Sequence, residues 1–290
     1  MSKSISATIL SHMLTFWPKR TPEECEEVFE KKLREGEKPA LAPRTLKTRY
    51  VDSENGRMFY ANEKVGPQNV VFYIHGGAYQ HEIMPPHWHL IKRLIAETDC
   101  LVVAPAYRLV PFGTWKEVYD LIVPVYREYC EKYAGSKIIL MGDSAGGGYS
   151  LALAEGLAER GIDQPDELIL LSPWVDVTMS SPKIKDYENV DPMLTVTMGR
   201  VSGEAWAGTL PTDDWHVSPI NGDLSKLRNV TIFVGDRELF TPDDTLLYEK
   251  LSGNENVRLI VGHGQNHVYP VYPTLEGRIA MEQIRNIMVR

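Results

Sequence analysis

The chain has 290 residues, which is long enough for one α/β domain with insertions or for two smaller domains. Its composition, 43% hydrophobic and 24% charged, is typical of a folded globular protein and excludes a disordered one. The formal net charge of −8 argues against nucleic acid or an anionic membrane as the main partner, because such partners usually need a basic face.

The cysteines and the first residues bear on the cellular compartment. Cys25, Cys100 and Cys130 lie far apart and show no metal-ligand spacing. We therefore expect free thiols in a reducing compartment, without a disulfide framework or a zinc site. The stretch from Met1 to Pro18 is too interrupted for a signal peptide and too short for a membrane span, so we expect a cytoplasmic protein.

The first elements along the chain are predicted from their end signals. Thr21 is placed to cap a helix in which Pro22 stands at the first position and Glu24 completes a capping box, and Gly36 would end that helix. A hairpin follows, because Leu46–Asp52 and Arg57–Ala61 flank an Asn-Gly turn.

Six short, continuously apolar runs come next, and amphipathic stretches separate most of them. Strands that are apolar on both faces and alternate with helices predict a mostly parallel sheet with helices on both faces, to which the hairpin adds an antiparallel edge. The predicted strands are Val70–Ile74, Leu101–Ala104, Ile138–Met141, Leu168–Leu171, Val230–Val234 and Val257–Val261.

The connection from Leu171 to Val230 is too long for an ordinary crossover. We predict an inserted helical cap at about residues 178–215. An N-terminal helical cap segment, residues 1–45, would join it above the carboxyl edge of the sheet, where open α/β folds bind ligands.

Gly142-Asp143-Ser144-Ala145-Gly146 fits the pattern G-x-S-x-G, with a predicted strand before it and a helix from Gly147 onward. This context is that of a nucleophile elbow, in which small flanking residues permit a strained turn at the serine. We therefore predict that Ser144 is a nucleophile at a helix N-terminus, whose partial positive charge favours an oxyanion. The alternative is a glycine-rich turn whose serine only caps a helix.

His75-Gly76-Gly77-Ala78-Tyr79 directly follows the strand Val70–Ile74. Small residues there leave backbone N–H groups free to point at a substrate oxygen, and each such donor contributes roughly 3–4 kcal/mol to the transition state. The N–H of the residue after the nucleophile, Ala145, is the usual partner of such a loop.

In combination, HGGAY, the YRLVP of residues 107–111 and GDSAGG resemble HGGG, YRLAP and GDSAGG of the hormone-sensitive-lipase-like branch of the α/β hydrolases, which includes many bacterial carboxylesterases. Matches at Leu171–Trp174, Asp191–Met193 and Ser218–Pro219 extend the resemblance over most of the chain after about residue 45. It implies an α/β-hydrolase fold with a helical cap, and a catalytic domain over residues 46–290.

The resemblance also implies an oxyanion hole. Gly77, Ala78 and Ala145 match the donors, and Gly76 shapes the turn. Ala78 replaces the third glycine of the family pattern, but an alanine keeps its N–H and only narrows the hole. His75 matches a histidine that usually braces the loop.

A serine nucleophile needs a base, and α/β hydrolases follow the chain order serine, acid, histidine. His263 and His267 both follow the last predicted strand. The family's histidine lies several residues past that strand and before an apolar residue, which matches His267 and leaves His263 as the alternative.

Four carboxylates crowd the turn after Val230–Val234. The family commonly places its acid three residues after a small residue at the strand end, and counting from Gly235 gives Glu238. Asp236 is the alternative. Asp243 and Asp244 are less favoured candidates for the acid, and the preferred interpretation is that they cap a helix that begins near Thr245.

These residues predict a serine carboxylesterase that forms an acyl-enzyme, and the resemblance implies short-chain acyl esters. An amidase, deacetylase or peptidase with the same triad stays open, as does, from another class, a non-enzymatic ligand receptor on this scaffold. An interfacial lipase is disfavoured, because the predicted cap carries Lys183, Lys185, Asp186 and Glu188.

The expected partner is a small ester. We expect no cofactor, metal ion, nucleic acid or membrane, and a homo-oligomer stays open. Tyr79, Trp206 and Tyr269 are candidate pocket residues, although packing in the core or cap is the preferred interpretation.

Overall fold

An eight-stranded sheet runs through the computed structural model, which describes residues 3–290. The strands are β1 (Thr48–Ser53), β2 (Gly56–Ala61), β3 (Asn69–Ile74), β4 (Leu101–Tyr107), β5 (Lys137–Asp143), β6 (Glu167–Leu171), β7 (Val230–Gly235) and β8 (Arg258–Gly262). They lie in the order β1-β2-β4-β3-β5-β6-β7-β8. The pairs β1–β2 and β2–β4 are antiparallel and all others are parallel, which confirms the predicted sheet and its antiparallel edge.

Helices cover both faces of this sheet. They are α1 (Ile5–Leu14), α2 (Pro22–Glu35), α3 (Pro85–Thr98), α4 (Trp115–Lys132), α5 (Ala145–Glu159), α6 (Ile184–Glu188), α7 (Val196–Ala207), α8 (Thr241–Lys250) and α9 (Leu275–Met288). One core cluster joins the sheet to α4, α5 and α8, and a second joins it to α3 and α9. Because β3, β4 and β7 are buried at every position, their sequences are apolar on both faces.

The local end signals function as predicted at α2 and at the hairpin. Thr21 and Glu24 form a reciprocal capping box, and Gly36 ends the helix with φ 74°. Gly56 is the first residue of β2, directly after the turn residues Glu54 and Asn55, and its φ of 133° favours glycine.

The prediction for α8 was wrong by one turn. The helix begins at Thr241 rather than near Thr245, so Asp243 and Asp244 lie inside its first turn and do not cap it. The Thr241 hydroxyl instead donates to the carbonyl oxygens of Gly235 and Glu238, at 2.8 Å each, which starts the helix directly at the end of the preceding turn.

The long connection between β6 and β7 contains α6 and α7, and α7 contacts α2. Helices from two distant parts of the chain therefore meet in the helical cap, although its bounds at residues 178–215 stay a prediction. None of the helices within residues 3–290 is both long and apolar enough to cross a bilayer.

Candidate active site

Ser144 occupies the tight turn between β5 and α5, with φ 52° and ψ −124°. This conformation is costly for any residue with a side chain. A Cβ added to Gly142 would lie 2.2 Å from the Gly146 carbonyl oxygen, and one added to Gly146 would lie 2.1 Å from the Ile74 oxygen. The turn therefore has room only for glycine at both flanks, which is the requirement that the motif predicts.

A continuous chain of hydrogen bonds joins Ser144, His267 and Glu238. His267 Nε2 lies 2.8 Å from Ser144 Oγ, and His267 Nδ1 lies 2.8 Å from Glu238 Oε2. The other carboxylate oxygen of Glu238 accepts the Gly235 N–H at 2.9 Å. The three side chains follow β5, β7 and β8, so the parallel sheet brings them together at its carboxyl edge.

The electrostatics of this arrangement favour a positive charge on His267. Burial opposes that charge, but the hydrogen bond and the negative charge of Glu238 outweigh burial and raise the pKa of His267 above its ordinary value. Because the carboxylate faces Nδ1, the neutral ring carries its proton there and leaves Nε2 to accept the Ser144 hydroxyl proton.

The alternative base and acid pair with each other elsewhere. His263 Nδ1 lies 3.2 Å from Asp236 Oδ2, and the His263 side chain is 75% exposed. Asp236 also accepts the Gly264 N–H at 2.6 Å. The structure therefore places neither residue in the hydrogen-bonded chain that contains Ser144.

The loop His75–Tyr79 lies against the elbow, with positive φ at Gly77 (115°), Ala78 (55°) and Tyr79 (57°). Within residues 3–290, the N–H groups of Gly77, Ala78 and Ala145 have no acceptor. The Gly76 N–H is different, since it donates to Asp143 Oδ1 at 3.0 Å. Three N–H donors are thus available for an oxyanion. The N–H of Gly76 is not available, because its bond to Asp143 shapes the turn.

His75 lies under this loop rather than in the relay. Its ring stacks on Tyr107 at 4.5 Å, and its Nδ1 lies 2.7 Å from the Gly76 oxygen. Burial lowers the pKa of His75 to about 3. The ring is therefore neutral, and it can donate from Nδ1 to the Gly76 carbonyl, which fits the predicted bracing role.

Asp143, which the motif carried without an assigned role, is a second support of the loop. Its carboxylate accepts the Tyr73 hydroxyl at 2.5 Å and the Gly76 N–H, and His87 Nε2 lies 3.4 Å away. Burial raises the pKa of this carboxyl, but His87 and these donors outweigh burial and lower it. Asp143 is therefore a buried anion that links the elbow to the loop.

Asp191, which the sequence indicates only as part of a family motif, supports the acid turn. Its Oδ1 accepts the N–H groups of Met193 and Leu194, and its Oδ2 accepts that of Leu239, all at 2.8 Å. Leu239 follows Glu238 directly. The inserted segment is therefore tied to the turn that holds the acid.

The candidate pocket residues are packed as the preferred interpretation predicts. Tyr79 stacks on Trp206 of α7 at 3.9 Å, with rings 2° from parallel, and its hydroxyl donates to the Ala145 oxygen at 3.0 Å. Tyr269 is buried in the cluster that includes α9. A wall of aromatic side chains thus adjoins the oxyanion donors.

Across residues 3–290, no group of three or more His, Cys, Asp or Glu side chains could hold a metal ion.

Comparisons with known proteins agree with this fold. Residues 71–271 match the sequence model of a protein family that is described as the α/β-hydrolase fold. An esterase from Acinetobacter venetianus is 30% identical over 183 residues, which are 62% of this chain and 60% of that protein. The match thus spans less than two thirds of that relative's length.

An acetyl-hydrolase from Streptomyces hygroscopicus is 29% identical over 219 residues, which are 73% of this chain and 72% of that protein. Among solved structures, a hormone-sensitive lipase from a metagenome library superposes with a TM-score of 0.76 at 25% identity, covering 94% of this chain and 99% of that one. The chain belongs to the α/β-hydrolase family, in its hormone-sensitive-lipase-like branch.

Proposed function

We propose that the protein is a serine carboxylesterase that hydrolyses short-chain acyl esters through an acyl-enzyme. The observation that carries the proposal is the relay Ser144–His267–Glu238, with 2.8 Å at each His267 contact. Relatives known as an esterase and an acetyl-hydrolase support the same chemistry.

In the first half of the reaction, Ser144 Oγ attacks the ester carbonyl while His267 Nε2 takes the hydroxyl proton. The carbonyl oxygen becomes an anion that the N–H groups of Gly77, Ala78 and Ala145 would hold. Because these groups have no acceptor within the described residues, they need no rearrangement to receive it. His267 then gives its proton to the leaving alcohol.

In the second half, a water molecule attacks the acyl-enzyme while His267 takes its proton. The bond between the acyl group and Ser144 Oγ then breaks, the carboxylic acid leaves, and His267 returns the proton to Ser144 Oγ. Glu238 keeps the imidazole in one tautomer and stabilises its charged form in both halves. The wall formed by Tyr79 and Trp206 supports a preference for small acyl groups, since it fills space next to two of the proposed donors, Ala78 and Ala145.

The test is the variant Ser144→Ala. We expect it to abolish turnover of p-nitrophenyl acetate and labelling by a fluorophosphonate, with thermal unfolding nearly unchanged, because only one hydroxyl is lost. Ser150→Ala is the matched control: its buried hydroxyl lies in α5, which begins directly after Ser144, but donates to the Gly146 carbonyl, outside the relay.

Turnover that persists in Ser144→Ala would refute the proposal. A wild-type protein that neither turns over esters nor reacts with the fluorophosphonate would support a ligand receptor instead. Acetylated amines and sugars, assayed beside the esters, separate an esterase from an amidase or deacetylase.

A further inference from the structure

The segment of residues 3–20, which we call the strap, lies against three parts of the chain that border the candidate site. Ser11 Oγ donates to Asn266 Oδ1 at 2.9 Å, directly before His267. The Trp17 ring meets the His81 ring edge-on at 5.9 Å, just past the oxyanion loop. Lys19 Nζ donates to the Asp191 carbonyl at 3.1 Å. The strap therefore contacts the loop that holds His267, the residue two positions past the oxyanion loop, and the inserted segment whose Asp191 is bonded to the acid turn.

The outward side of the strap is apolar. Ile5, Ile9, Met13 and Phe16 are 82%, 57%, 63% and 76% exposed. Their spacing of four, four and three residues places them in one stripe along α1 and the turn that follows it, and the inner face of α1 buries Ala7 and Leu14. A stripe of large apolar side chains in water, unlike scattered single ones, indicates a contact surface.

Positive charge flanks this stripe. The first twenty residues contain Lys3, Lys19 and Arg20 and no acidic residue, although the whole chain has a net charge of −8. The net charge of the whole chain argues against an anionic membrane as a partner. However, the first twenty residues are basic, and the negative charge lies in the rest of the chain. The acidic groups near Lys3 are already engaged, Glu276 by Ser4 and Asp236 by Gly264.

We propose that the outward face of α1 docks on an anionic lipid surface. An apolar stripe flanked by basic residues suits a helix lying in the plane of a lipid–water interface, with the side chains of the stripe in the acyl boundary and the cations at the headgroups. A second copy of the chain fits less well. Four side chains fall short of the roughly 800 Å² per partner that a stable dimer buries, and the same cations would face each other.

The strap joins docking to the active site, a consequence that rests on the proposed function. Ser144 and His267 are 8% and 2% exposed, so the relay is nearly closed. A lipid surface that attracts Lys3 and Lys19 competes with their hydrogen bonds to Asn266 and to the Asp191 carbonyl, which hold the strap against the site. The site then opens where esters in a lipid phase are concentrated.

The experiment measures binding apart from turnover. Ser144→Ala protein is sedimented with phosphatidylcholine vesicles that contain phosphatidylglycerol, and with vesicles of phosphatidylcholine alone. We expect binding to the anionic vesicles that weakens as salt is added. Adding Ile9→Glu and Met13→Glu should weaken it at least about tenfold, because both remove apolar area and add negative charge. Leu33→Glu, at an apolar residue of α2 that is 58% exposed, should leave it unchanged.

Each other result overturns the proposal. The proposal is wrong if the protein does not bind the anionic vesicles. It is also wrong if Leu33→Glu weakens vesicle binding as much as the Ile9 and Met13 substitutions do. A concentration-dependent dimer that the Ile9/Met13 variant abolishes assigns the stripe to a second copy. Turnover of dissolved p-nitrophenyl acetate by the wild type, measured without vesicles, separates the two proposals. If the protein turns over the ester but does not bind vesicles, only the docking proposal is wrong. If it binds vesicles but does not turn over the ester, only the proposed function is wrong.

Discussion

Four carboxylates that lie within nine residues of one another occupy four different environments. Glu238 binds His267, and Asp236 binds Gly264 and His263. Asp243 is buried, which raises its pKa to about 7. Asp244 is buried with no side-chain hydrogen-bond partner among residues 3–290, and burial raises its pKa well above the ordinary value. Only the first of these environments suits the acid of a relay.

The acid assignment gives a prediction. Glu238→Gln should lower kcat about 10³- to 10⁴-fold, because the carboxylate that fixes the tautomer and stabilises the imidazolium is lost. Asp236→Asn is the matched control, at a carboxylate two residues away, and should change kcat little. The measurement is kcat of both variants with p-nitrophenyl acetate. A larger loss of kcat in Asp236→Asn than in Glu238→Gln would show that Asp236 is the acid.

The same variant predicts a change in pH dependence. Since His267 must be neutral to accept the proton and Glu238 raises its pKa, kcat/KM of the wild type should fall with decreasing pH below a midpoint higher than that of an ordinary histidine. Removing the negative charge lowers this pKa, so the acidic limb of Glu238→Gln should move to lower pH. If the acidic limb of the kcat/KM profile lies at the same pH in Glu238→Gln as in the wild type, a group other than His267 causes it.

The sequence predicted the residues whose role depends on their immediate neighbours along the chain. Ser144 and its two flanking glycines can be predicted from the sequence because a single tight turn sets the backbone and space requirements of all three. Asp143 and Asp191 had no assigned role, since their partners Gly76 and Leu239 lie 67 and 48 positions away. Only the folded sheet edge brings such groups together.

At the scale of elements, the strands were predictable and one helix start was not. Burial on both faces makes each parallel strand a continuous apolar run, which needs no knowledge of its neighbours. The start of α8 depends on the Thr241 hydroxyl reaching Gly235, and its first turn buries two acidic side chains. A capping preference alone would leave such residues at the surface.

The buried Asp244 predicts a pH effect on stability. Its raised pKa means that the folded chain keeps a proton that the unfolded chain releases above about pH 4. This contribution to stability is complete at lower pH and is lost as the pH rises toward the folded-state pKa. Asp244→Asn removes it, so the Tm of the variant relative to wild type should increase from pH 5 to pH 8.

Thermal unfolding at the two pH values measures this difference. Asp186→Asn, at an exposed position of α6, is the control and should follow the wild type at both. If the Tm of Asp244→Asn changes in parallel with that of the wild type, the carboxyl of Asp244 is not protonated in the folded protein.

At the scale of the whole molecule, the cap and the sheet meet in an aromatic contact. Trp206 comes from the long insertion and Tyr79 from the oxyanion loop, and Trp206 is fully buried with its indole N–H unpartnered among the described residues. The sequence predicted that a cap exists, but one chain read alone does not show which of its side chains fills the space beside the donors.

This contact predicts acyl-chain selectivity. Trp206→Ala should leave a cavity next to Tyr79 and cost about 3–5 kcal/mol of the free energy of unfolding. The ratio of kcat/KM for p-nitrophenyl octanoate over acetate should rise about tenfold or more, because a longer chain can occupy that space. Trp215→Ala, at a half-buried residue, is the control and should leave the ratio unchanged. An unaltered ratio in Trp206→Ala would place the acyl chain elsewhere.

The bonds between the elbow and the neighbouring loop have a further consequence. Gly76 is held by the carboxylate that precedes Ser144, and Tyr79 is held by the carbonyl of the residue that follows it. Both sides of the turn are thus fastened to the same short stretch, and a displacement of one carries the other along. The spacing between the Ser144 hydroxyl and the N–H groups of the loop is therefore set by these two bonds, and substitutions that leave both bonds in place should preserve it.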